Sequence, residues 1–352
     1  MSVTATEMIE TFPDLLSQIS GPLENFAVAP CAAENPQKGG LAYLNSMKHL
    51  NTCLKAELAI LIVDNKLRDQ LRPVDQNICL LSSSSLQEAM ARVNQKFFPV
   101  EIYKQPFDGQ RIHPSAVISN SARVSESALV GPNAVIGEAV TIGDNCIVGA
   151  NAVIEAHSQI GDGSHIFALV YIGHHTQLGR ACIVQSNTSI ASNGYGYGSS
   201  KEHKHFYKPH YGNVVLQDRV EIGANVSLDR GIYAASTVGE GTKIDNHCHL
   251  GHNFTCGKNC LITAGFISAG SVVIGDNCTF GGRNSVNNKI TITDNCMFSA
   301  LTAQTGHVTE PGIYGGYPVQ KYKDNLRSVA TLPHLPKLKK DVETIKKKLG
   351  LE

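Results

Sequence analysis

Several features are missing from this 352-residue sequence. Tryptophan is absent, and neither sign of charge is in excess, because 30 Lys and Arg residues balance 30 Asp and Glu residues. Nucleic-acid binding usually shows as an excess of positive charge, so the composition predicts no nucleic-acid partner. No apolar run is long enough to cross a bilayer, and the N-terminus lacks the basic start and apolar core of a secretory signal. We therefore expect a cytoplasmic protein without a transmembrane segment.

What the sequence has instead is a repeat of six residues. From Ile112 to Ile190 every sixth residue is Ile, Val or Leu, and the period resumes at Leu216. A four-residue insertion at about 231–234 shifts the frame, which then runs from Val238 to Phe298. Such a repeat is typical of a parallel β-helix, in which six residues make one short strand and one corner. The first residue of each hexapeptide is predicted to face the interior.

The fifth residue of each hexapeptide is also predicted to face inward, where there is room for a small side chain. The chain has ten cysteines, and Cys260, Cys278 and Cys296 occupy this fifth place at intervals of eighteen residues. Three hexapeptides therefore make one coil. We interpret these cysteines as small buried side chains, not as metal ligands or disulfide partners.

The repeat occupies the middle of the chain. Residues 1–108 alternate helical stretches with strand-like runs such as AELAILIVD, which predicts a small α/β domain ending between Pro99 and Gln110. The β-helix is predicted over 109–316 and a helical segment over 317–352. That segment has one apolar stripe and six lysines between 337 and 348. A solvated helix face and a surface for an acidic partner are both compatible with this charge.

A long interruption of the repeat, at about 191–213, contains SNGYGYG followed by KEHKHFYKPH. A long loop on a rigid solenoid is a common place for function. Several of its basic side chains are candidates for phosphate contacts, with a solvated loop as the alternative: Lys201, His203, Lys204, His205, Lys208 and His210.

The stretch DNHCHLGHN at 245–253 contains His247, His249 and His252. Cys248 takes the inward place, so all three histidines are predicted to face outward. Three interpretations stay open on these residues alone. In the first, His252 is a general base, since a neutral imidazole accepts a proton near neutral pH. In the second, His247 and His252 bind zinc with a third ligand from another chain, as in trimeric β-helix carbonic anhydrases. In the third, they are surface residues.

Beyond the repeat, nearly the whole chain resembles the UDP-3-O-(3-hydroxyacyl)glucosamine N-acyltransferases of lipid A biosynthesis. The resemblance rests on SNGYGY at 192–197, LQDRVEIGAN at 216–225, LDRG at 228–231, IDNHCHLGHN at 244–253 and EPGIYGGYP at 310–318. It implies a mainly β fold, a left-handed parallel β-helix with a small N-terminal α/β domain and C-terminal helices, assembled as a homotrimer. It also implies transfer of a 3-hydroxyacyl group from acyl carrier protein to the 2-amine of a UDP-3-O-acylglucosamine. No metal or other cofactor is expected.

The resemblance assigns roles to individual residues. It implies that His252 removes the proton of the amine, that Asp245 orients His252, and that the backbone N–H of Gly270 stabilises the oxyanion. Substrate-binding roles are implied for several further residues: Tyr43, Asn45, Lys48 and His49 at the uridine, Tyr195 in the acyl groove, His249, and Lys289.

Two of these residues depart from the family pattern. Lys289 stands where the family often has a second histidine, and His49 stands where a second aromatic ring usually sandwiches the base. Two alternatives to this function remain. One is another hexapeptide-repeat sugar acyltransferase, either O-acylating or dependent on acetyl-coenzyme A. The other is a zinc-dependent lyase of the carbonic anhydrase type.

Overall fold

The computed structural model describes residues 2–71, 77–99, 109–315 and 322–351. Contacts between Cα atoms divide the chain into two compact units, Met1–Lys104 and Gln105–Glu352. Most of the predicted boundary at 99–110, and the predicted start of the C-terminal segment at 317, lie outside the described residues.

The first unit is a small α/β domain around a four-stranded sheet. Its regular elements follow one another along the chain: β1 (Val3–Thr4), α1 (Ala5–Thr11), β2 (Leu16–Ser20), β3 (Phe26–Ala27), β4 (Leu41–Leu44), a 3-10 helix (Met47–His49), α2 (Leu50–Lys55), β5 (Ile60–Asp64), a second 3-10 helix (Asn65–Leu71), β6 (Cys79–Ser83) and α3 (Leu86–Phe97). The sheet order is β2-β6-β5-β4, with β4, β5 and β6 parallel and β2 antiparallel to β6.

Helices cover both faces of this sheet, which explains the continuous apolar run of β5. Ile60 and Ile62 point to the face covered by α1 and α3, whereas Leu61 and Val63 point to the face covered by α2. A strand with both faces covered has no polar side.

The second unit contains the repeat as a three-sided coil of short parallel strands. The first face is formed by Val117–Ile118, Val135–Ile136, Val153–Ile154, Tyr171–Ile172, Ser189–Ser192, Ser227–Asp229, His249–Leu250, Ile267–Ser268, Ser285–Val286 and Ala303–Gln304. The second face is formed by Arg123–Val124, Thr141–Ile142, Gln159–Ile160, Gln177–Leu178, Val214–Leu216, Ser236–Val238, Thr255–Cys256, Val273–Ile274 and Thr291–Ile292. The third face is formed by Leu129–Val130, Ile147–Val148, His165–Ile166, Ile183–Val184, Glu221–Ile222, Lys243–Ile244, Leu261–Ile262, Thr279–Phe280, Cys296–Phe298 and Gly312–Tyr314.

The register repeats every eighteen residues where the repeat is unbroken, as in the pairing of Leu250 with Ser268 and of Ser268 with Val286. From Val130 to Phe298 the first residues of the hexapeptides are buried, and so are the cysteines at the fifth places. Each fully buried Val, Leu or Ile contributes about 1.5–3 kcal/mol relative to an exposed one, so the stacked interior stabilises the coil. The predicted fold class, a mainly β, left-handed parallel β-helix, is confirmed.

Corners of the coil explain the many asparagines. Asn133, Asn145 and Asn151 all have φ between 54° and 57°, a left-handed conformation that asparagine tolerates better than most residues. Corner residues therefore turn the chain at little cost, while their side chains stay outside the prism.

Both interruptions of the repeat are structured. The longer one contains an antiparallel hairpin of Tyr197–Ser199 and His205–Tyr207, and the shorter one inserts a loop after Arg230. Near the C-terminus, α4 (Tyr322–Thr331), a 3-10 helix (Leu332–His334) and α5 (Leu335–Leu349) follow. Every helix within the described ranges is too short or too polar to cross a bilayer.

Candidate active site

His252 lies at the corner between the first and second faces, directly after the strand His249–Leu250. Its side chain is half-buried, whereas His247 and His249 are exposed and Cys248 is buried between them. The repeat therefore placed all three imidazoles outside the core as predicted. His252 differs from the other two because neighbouring segments enclose it.

Asn253 determines which nitrogen of His252 carries the proton. Its Oδ1 accepts the backbone N–H of Ile232 at 3.0 Å, and its Nδ2 donates to the carbonyl of Ala234 at 3.4 Å. Oδ1 also lies 3.1 Å from Nδ1 of His252. Because Oδ1 is an acceptor, Nδ1 must be the donor, and the Nε2 lone pair of the neutral ring is left free to take a proton.

Gly270 lies beside that free nitrogen, one coil further along the same corner. A Cβ on Gly270 would be 2.4 Å from Nε2 of His252 and 2.5 Å from Cε1. Carbon and nitrogen atoms do not approach so closely, so the ring can occupy this position because residue 270 has no side chain. Among the described residues, the backbone N–H of Gly270 donates to no acceptor. It is therefore available to a bound oxyanion beside the base.

Asp245 does not lie at this corner. It follows the strand Lys243–Ile244 on the third face, and its two carboxylate oxygens accept the backbone N–H groups of Asn246 at 2.7 Å and Ala264 at 3.1 Å. Within this chain, therefore, the structure does not bring Asp245 to His252, and its orienting role stays a prediction. Asn253 holds the imidazole, and Asp245 stabilises a turn.

Asp229 is a buried carboxylate beside the site. Its side chain is 8% exposed, and Oδ2 lies 4.0 Å from Nε2 of His249. Burial raises the pKa of Asp229 to about 7 and lowers the pKa of His249. Burial thus outweighs the mutual attraction of a charged pair, and both groups are pushed toward their neutral forms near neutral pH.

Arg230 and Gly231 complete the LDRG motif by fixing the backbone around Asp229. Arg230 is fully buried and donates to the carbonyls of Ala191 and His174 at 2.9 Å each, as well as to the His174 ring. A Cβ on Gly231 would be 1.7 Å from the carbonyl oxygen of Ala234. The inserted loop can therefore approach Asn253 because residue 231 is glycine.

The long interruption packs against His252 through its glycines. A Cβ on Gly194 would lie 2.8 Å from Cβ of His252, 3.1 Å from Oδ2 of Asp229 and 3.1 Å from Nε2 of His210. His210 is 6% exposed, and its ring centroid is 5.7 Å from that of His252. The prediction that His210 contacts phosphates does not fit a buried ring. The other five candidates in this loop are exposed: Lys201, His203, Lys204, His205 and Lys208.

Lys289 and Tyr195 occupy the outside of the same region. The N–H of Lys289 donates to the carbonyl of Gly270 at 3.0 Å, so Lys289 lies along the corner of His252 and Gly270, and it is exposed. Tyr195 is 84% exposed and packs edge-on against Tyr197, with ring centroids 5.2 Å apart. The structure brings His252, Gly270 and Lys289 onto one edge, and Tyr195 to the loop beside them.

The residues predicted to hold uridine lie in the first unit. Tyr43, Asn45 and His49 line a cleft of about 230 Å³, whereas Lys48 is exposed and is not part of its wall. The hydroxyl of Tyr43 donates to Oδ1 of Asn94 at 2.9 Å, and burial raises its pKa. A base can therefore stack on this ring without competing for its hydroxyl.

The described residues contain no group of three or more His, Cys, Asp and Glu side chains placed to hold a metal ion. A zinc site built on His247 and His252 would need its further ligands from another chain, as that alternative states.

Three residues of the site were not assigned their place there from the sequence: Asn253 and Asp229 had no role, and His210 was expected to contact phosphates. Two of them stand inside quoted motifs, since Asn253 follows His252 in HN and Asp229 opens DRG. The motifs indicated that these positions matter, but not what they contact. The only sequence signal for His210 was its place in a basic loop, and the sequence of that loop does not show which side chains are buried.

Two family models match parts of the chain: "GMPPB C-terminal domain" over residues 112–232 and "Hexapeptide repeat of succinyl-transferase" over 271–300. The UDP-3-O-acylglucosamine N-acyltransferase of Methylococcus capsulatus is 36% identical over 337 residues, which is 95% of this chain and 94% of that protein. The enzyme of the same name from Campylobacter lari is 36% identical over 143 residues, which is 41% of this chain and 45% of that protein.

Among solved structures, the UDP-N-acetylglucosamine acyltransferase of Campylobacter jejuni is similar at 21% identity, with a TM-score of 0.45. The match covers 57% of this chain and 70% of that one.

Proposed function

Because this chain belongs to the UDP-3-O-acylglucosamine N-acyltransferase family, we propose that His252 and Gly270 carry out N-acyl transfer. The acceptor is the 2-amine of a UDP-3-O-(3-hydroxyacyl)glucosamine, and the donor is a 3-hydroxyacyl thioester on acyl carrier protein. The product carries both acyl chains and belongs to lipid A biosynthesis. The observation that supports these roles is the free Nε2 of His252 beside the N–H of Gly270, which has no acceptor in the described part of the chain.

The first step is attack of the neutral amine on the thioester carbonyl. A C–N bond forms, the carbonyl π electrons move to oxygen, and His252 takes the proton of the amine at Nε2. Asn253 supports this step because its Oδ1 accepts the Nδ1 proton and keeps the ring in one tautomer. Such a positioned base typically accelerates a reaction by about 100- to 10,000-fold.

The second step is collapse of the tetrahedral intermediate. The N–H of Gly270 stabilises the oxyanion until the C–S bond breaks, and the departing thiolate takes the proton that His252 holds. Thiols ionise near pH 8.5, so the thiolate is a good leaving group. We propose that no metal or other cofactor takes part, since the phosphopantetheine arrives on the carrier protein.

The proposed partners follow from charge and exposed apolar surface. The lysines of α5 lie on an exposed helix, and we propose that they attract the acidic acyl carrier protein. Apolar side chains such as Ile267 and Leu261 are half-exposed on the outer faces of the coil, which supports a homotrimer. We also propose that the protein acts in the cytoplasm. In such a trimer a neighbouring subunit would complete the acyl groove at Tyr195 and Lys289.

Turnover with a 3-hydroxyacyl carrier protein and the UDP-3-O-acylglucosamine acceptor tests this proposal. We expect the wild type to form the N-acyl product and His252→Ala to lose about 100- to 10,000-fold in kcat. His247→Ala is the matched control, because His247 is an exposed imidazole from the same stretch. Its kcat should stay within about threefold of the wild type.

The same preparation distinguishes the alternatives. Product from acetyl-coenzyme A, or an O-acylated sugar, would indicate another sugar acyltransferase. Stoichiometric zinc together with carbon dioxide hydration would indicate the lyase. Full turnover by His252→Ala would remove His252 from the chemistry.

A further inference from the structure

His210 is a buried imidazole that the proposed chemistry does not use. It ends the basic stretch of the long interruption, yet it is 6% exposed. Neither ring nitrogen has a hydrogen-bond partner within the described part of the chain. A buried polar atom left without a partner typically costs about 1–3 kcal/mol. A buried group with this cost calls for an explanation in terms of the site beside it.

The surroundings of His210 connect it to His252. The two rings meet edge to face, with centroids 5.7 Å apart and planes 68° apart. Gly194 packs against both side chains, because a Cβ there would be 2.8 Å from Cβ of His252 and 3.1 Å from Nε2 of His210. A Cβ on Gly196 would be 2.9 Å from Cε1 of His210. The loop thus has glycine at both points where it passes these rings.

We propose that His210 is a positioning residue for His252: its neutral ring, held by the glycine loop, fixes the plane in which His252 presents Nε2. This inference rests on the proposed role of His252 as the general base. The contact requires the shape of a planar ring and no hydrogen bond, since the nitrogens of His210 have no partner in the described structure.

The contact also depends on the charge of His210. Burial lowers the pKa of His210, the neighbouring His252 and Arg230 lower it further, and the backbone of Lys208 opposes this shift. Protonation would place two cations side by side once His252 holds a proton, which disfavours the contact. The charged or titratable groups that face His210 are the following: His252, Asp229, Tyr207, Lys208 and Arg230.

Two substitutions separate shape from chemistry. His210→Phe keeps a planar ring of similar size but cannot be protonated, and His210→Ala removes the ring. We expect His210→Ala to lose about 100-fold in kcat, because a base displaced by about 1 Å loses that much, with KM for both substrates within about threefold. His210→Phe should retain kcat within about threefold at pH 7.5.

The pH profile tests the charge argument. In the wild type, kcat should fall on the acid side with a slope near two in a logarithmic plot, because two imidazoles must both be neutral. In His210→Phe the slope should be near one. His205→Phe is the matched control, because His205 is an exposed histidine of the same loop, and it should keep the wild-type slope.

A readout that needs no turnover is the rate at which diethyl pyrocarbonate modifies His252, followed by mass spectrometry of its peptide. We expect faster modification in His210→Ala, where the ring is released, and an unchanged rate in His210→Phe.

Two results would overturn the inference: an undiminished kcat in His210→Ala, or a His210→Phe variant as slow as His210→Ala, which would assign a chemical role to the nitrogens. If the wild type transfers no acyl group at any pH, the proposed function fails, and the labelling rates alone decide whether His210 positions His252.

Discussion

Gly270→Ala is the substitution whose effect follows most directly from distances. The added Cβ would lie 2.4 Å from Nε2 of His252, 2.5 Å from Cε1 and 3.0 Å from Cδ2. Ordinary contacts of this kind are 3.4–4 Å, so the ring must retreat by about 1 Å. The backbone cannot yield instead, because the N–H of Ser271 bonds to His252 O at 2.8 Å and Gly270 O accepts from Lys289 at 3.0 Å.

A general base displaced by this distance typically loses about 100-fold in rate. We therefore expect Gly270→Ala to lower kcat about 100-fold in the acyl transfer assay, with little change in KM. Alanine keeps the backbone N–H, so the loss reports displacement of the imidazole and not removal of the oxyanion donor. Gly282→Ala is the matched control, because the atom closest to the added Cβ, apart from the adjoining residues, would be Ala264 O at an ordinary 3.6 Å.

A double-mutant cycle assigns the loss to the ring. If Gly270→Ala acts by displacing His252, adding it to His252→Ala should reduce kcat by no more than about threefold, since the displaced group is already gone. Fully additive losses would mean that the alanine disturbs the oxyanion donor or the substrate, and the steric explanation would be refuted. Wild-type turnover in the single variant would refute it as well.

Three further predictions concern other residues of the chain. Asn253→Gly removes the acceptor of the His252 proton, while glycine still tolerates the φ of 59° at this position. We expect kcat to fall about 10- to 100-fold. The exposed corner variant Asn277→Gly should leave kcat unchanged. Asp229 has a folded-state pKa raised from 3.8 to about 7. The folded state therefore holds the extra proton, and the free energy of unfolding falls by about 3 kcal/mol as pH rises from 5 to 8. Urea unfolding at pH 5 and 8 should show this fall in the wild type, and Asp229→Asn should lack it; equal pH dependence in both would contradict the raised pKa. Of the ten free cysteines, Cys31 is half-exposed and the others are buried, so mass spectrometry after native alkylation should find Cys31 modified first. Cys31→Ser should abolish the rapid phase, and rapid labelling of a second thiol would contradict the burial.

The coil could be predicted from the sequence because every hexapeptide places its first side chain in the interior. Ile244, Leu250 and Ile262 are buried because every sixth side chain must face inward. The same frame placed Cys248 inside and His249 outside without knowledge of any distant contact. Because the same six-residue pattern recurs many times, it predicts whether a side chain faces the interior or the outside of the coil.

The contacts of the site could not be predicted in the same way. Asp245 and Asn253 both belong to one short motif, and a carboxylate is the commoner partner for a catalytic imidazole. The frame nevertheless puts Asp245 after a strand of the third face and Asn253 at the corner of His252. Asn253 then meets Ile232 and Ala234 because the preceding insertion reaches back to it. That contact depends on the shape of a loop, and its sequence carries no period.

The position of the site follows from these interruptions. In an unbroken repeat every coil has the same corners. Regular stacking would therefore surround His252 with the same contacts as any other corner residue. The insertion after Arg230 supplies the backbone that fixes Asn253, and the loop through Gly194 supplies the ring of His210. Asp229 lies at the end of a strand between the two interruptions. The enclosed imidazole is therefore found where the coil departs from its period twice, because those departures bring side chains that regular stacking cannot provide.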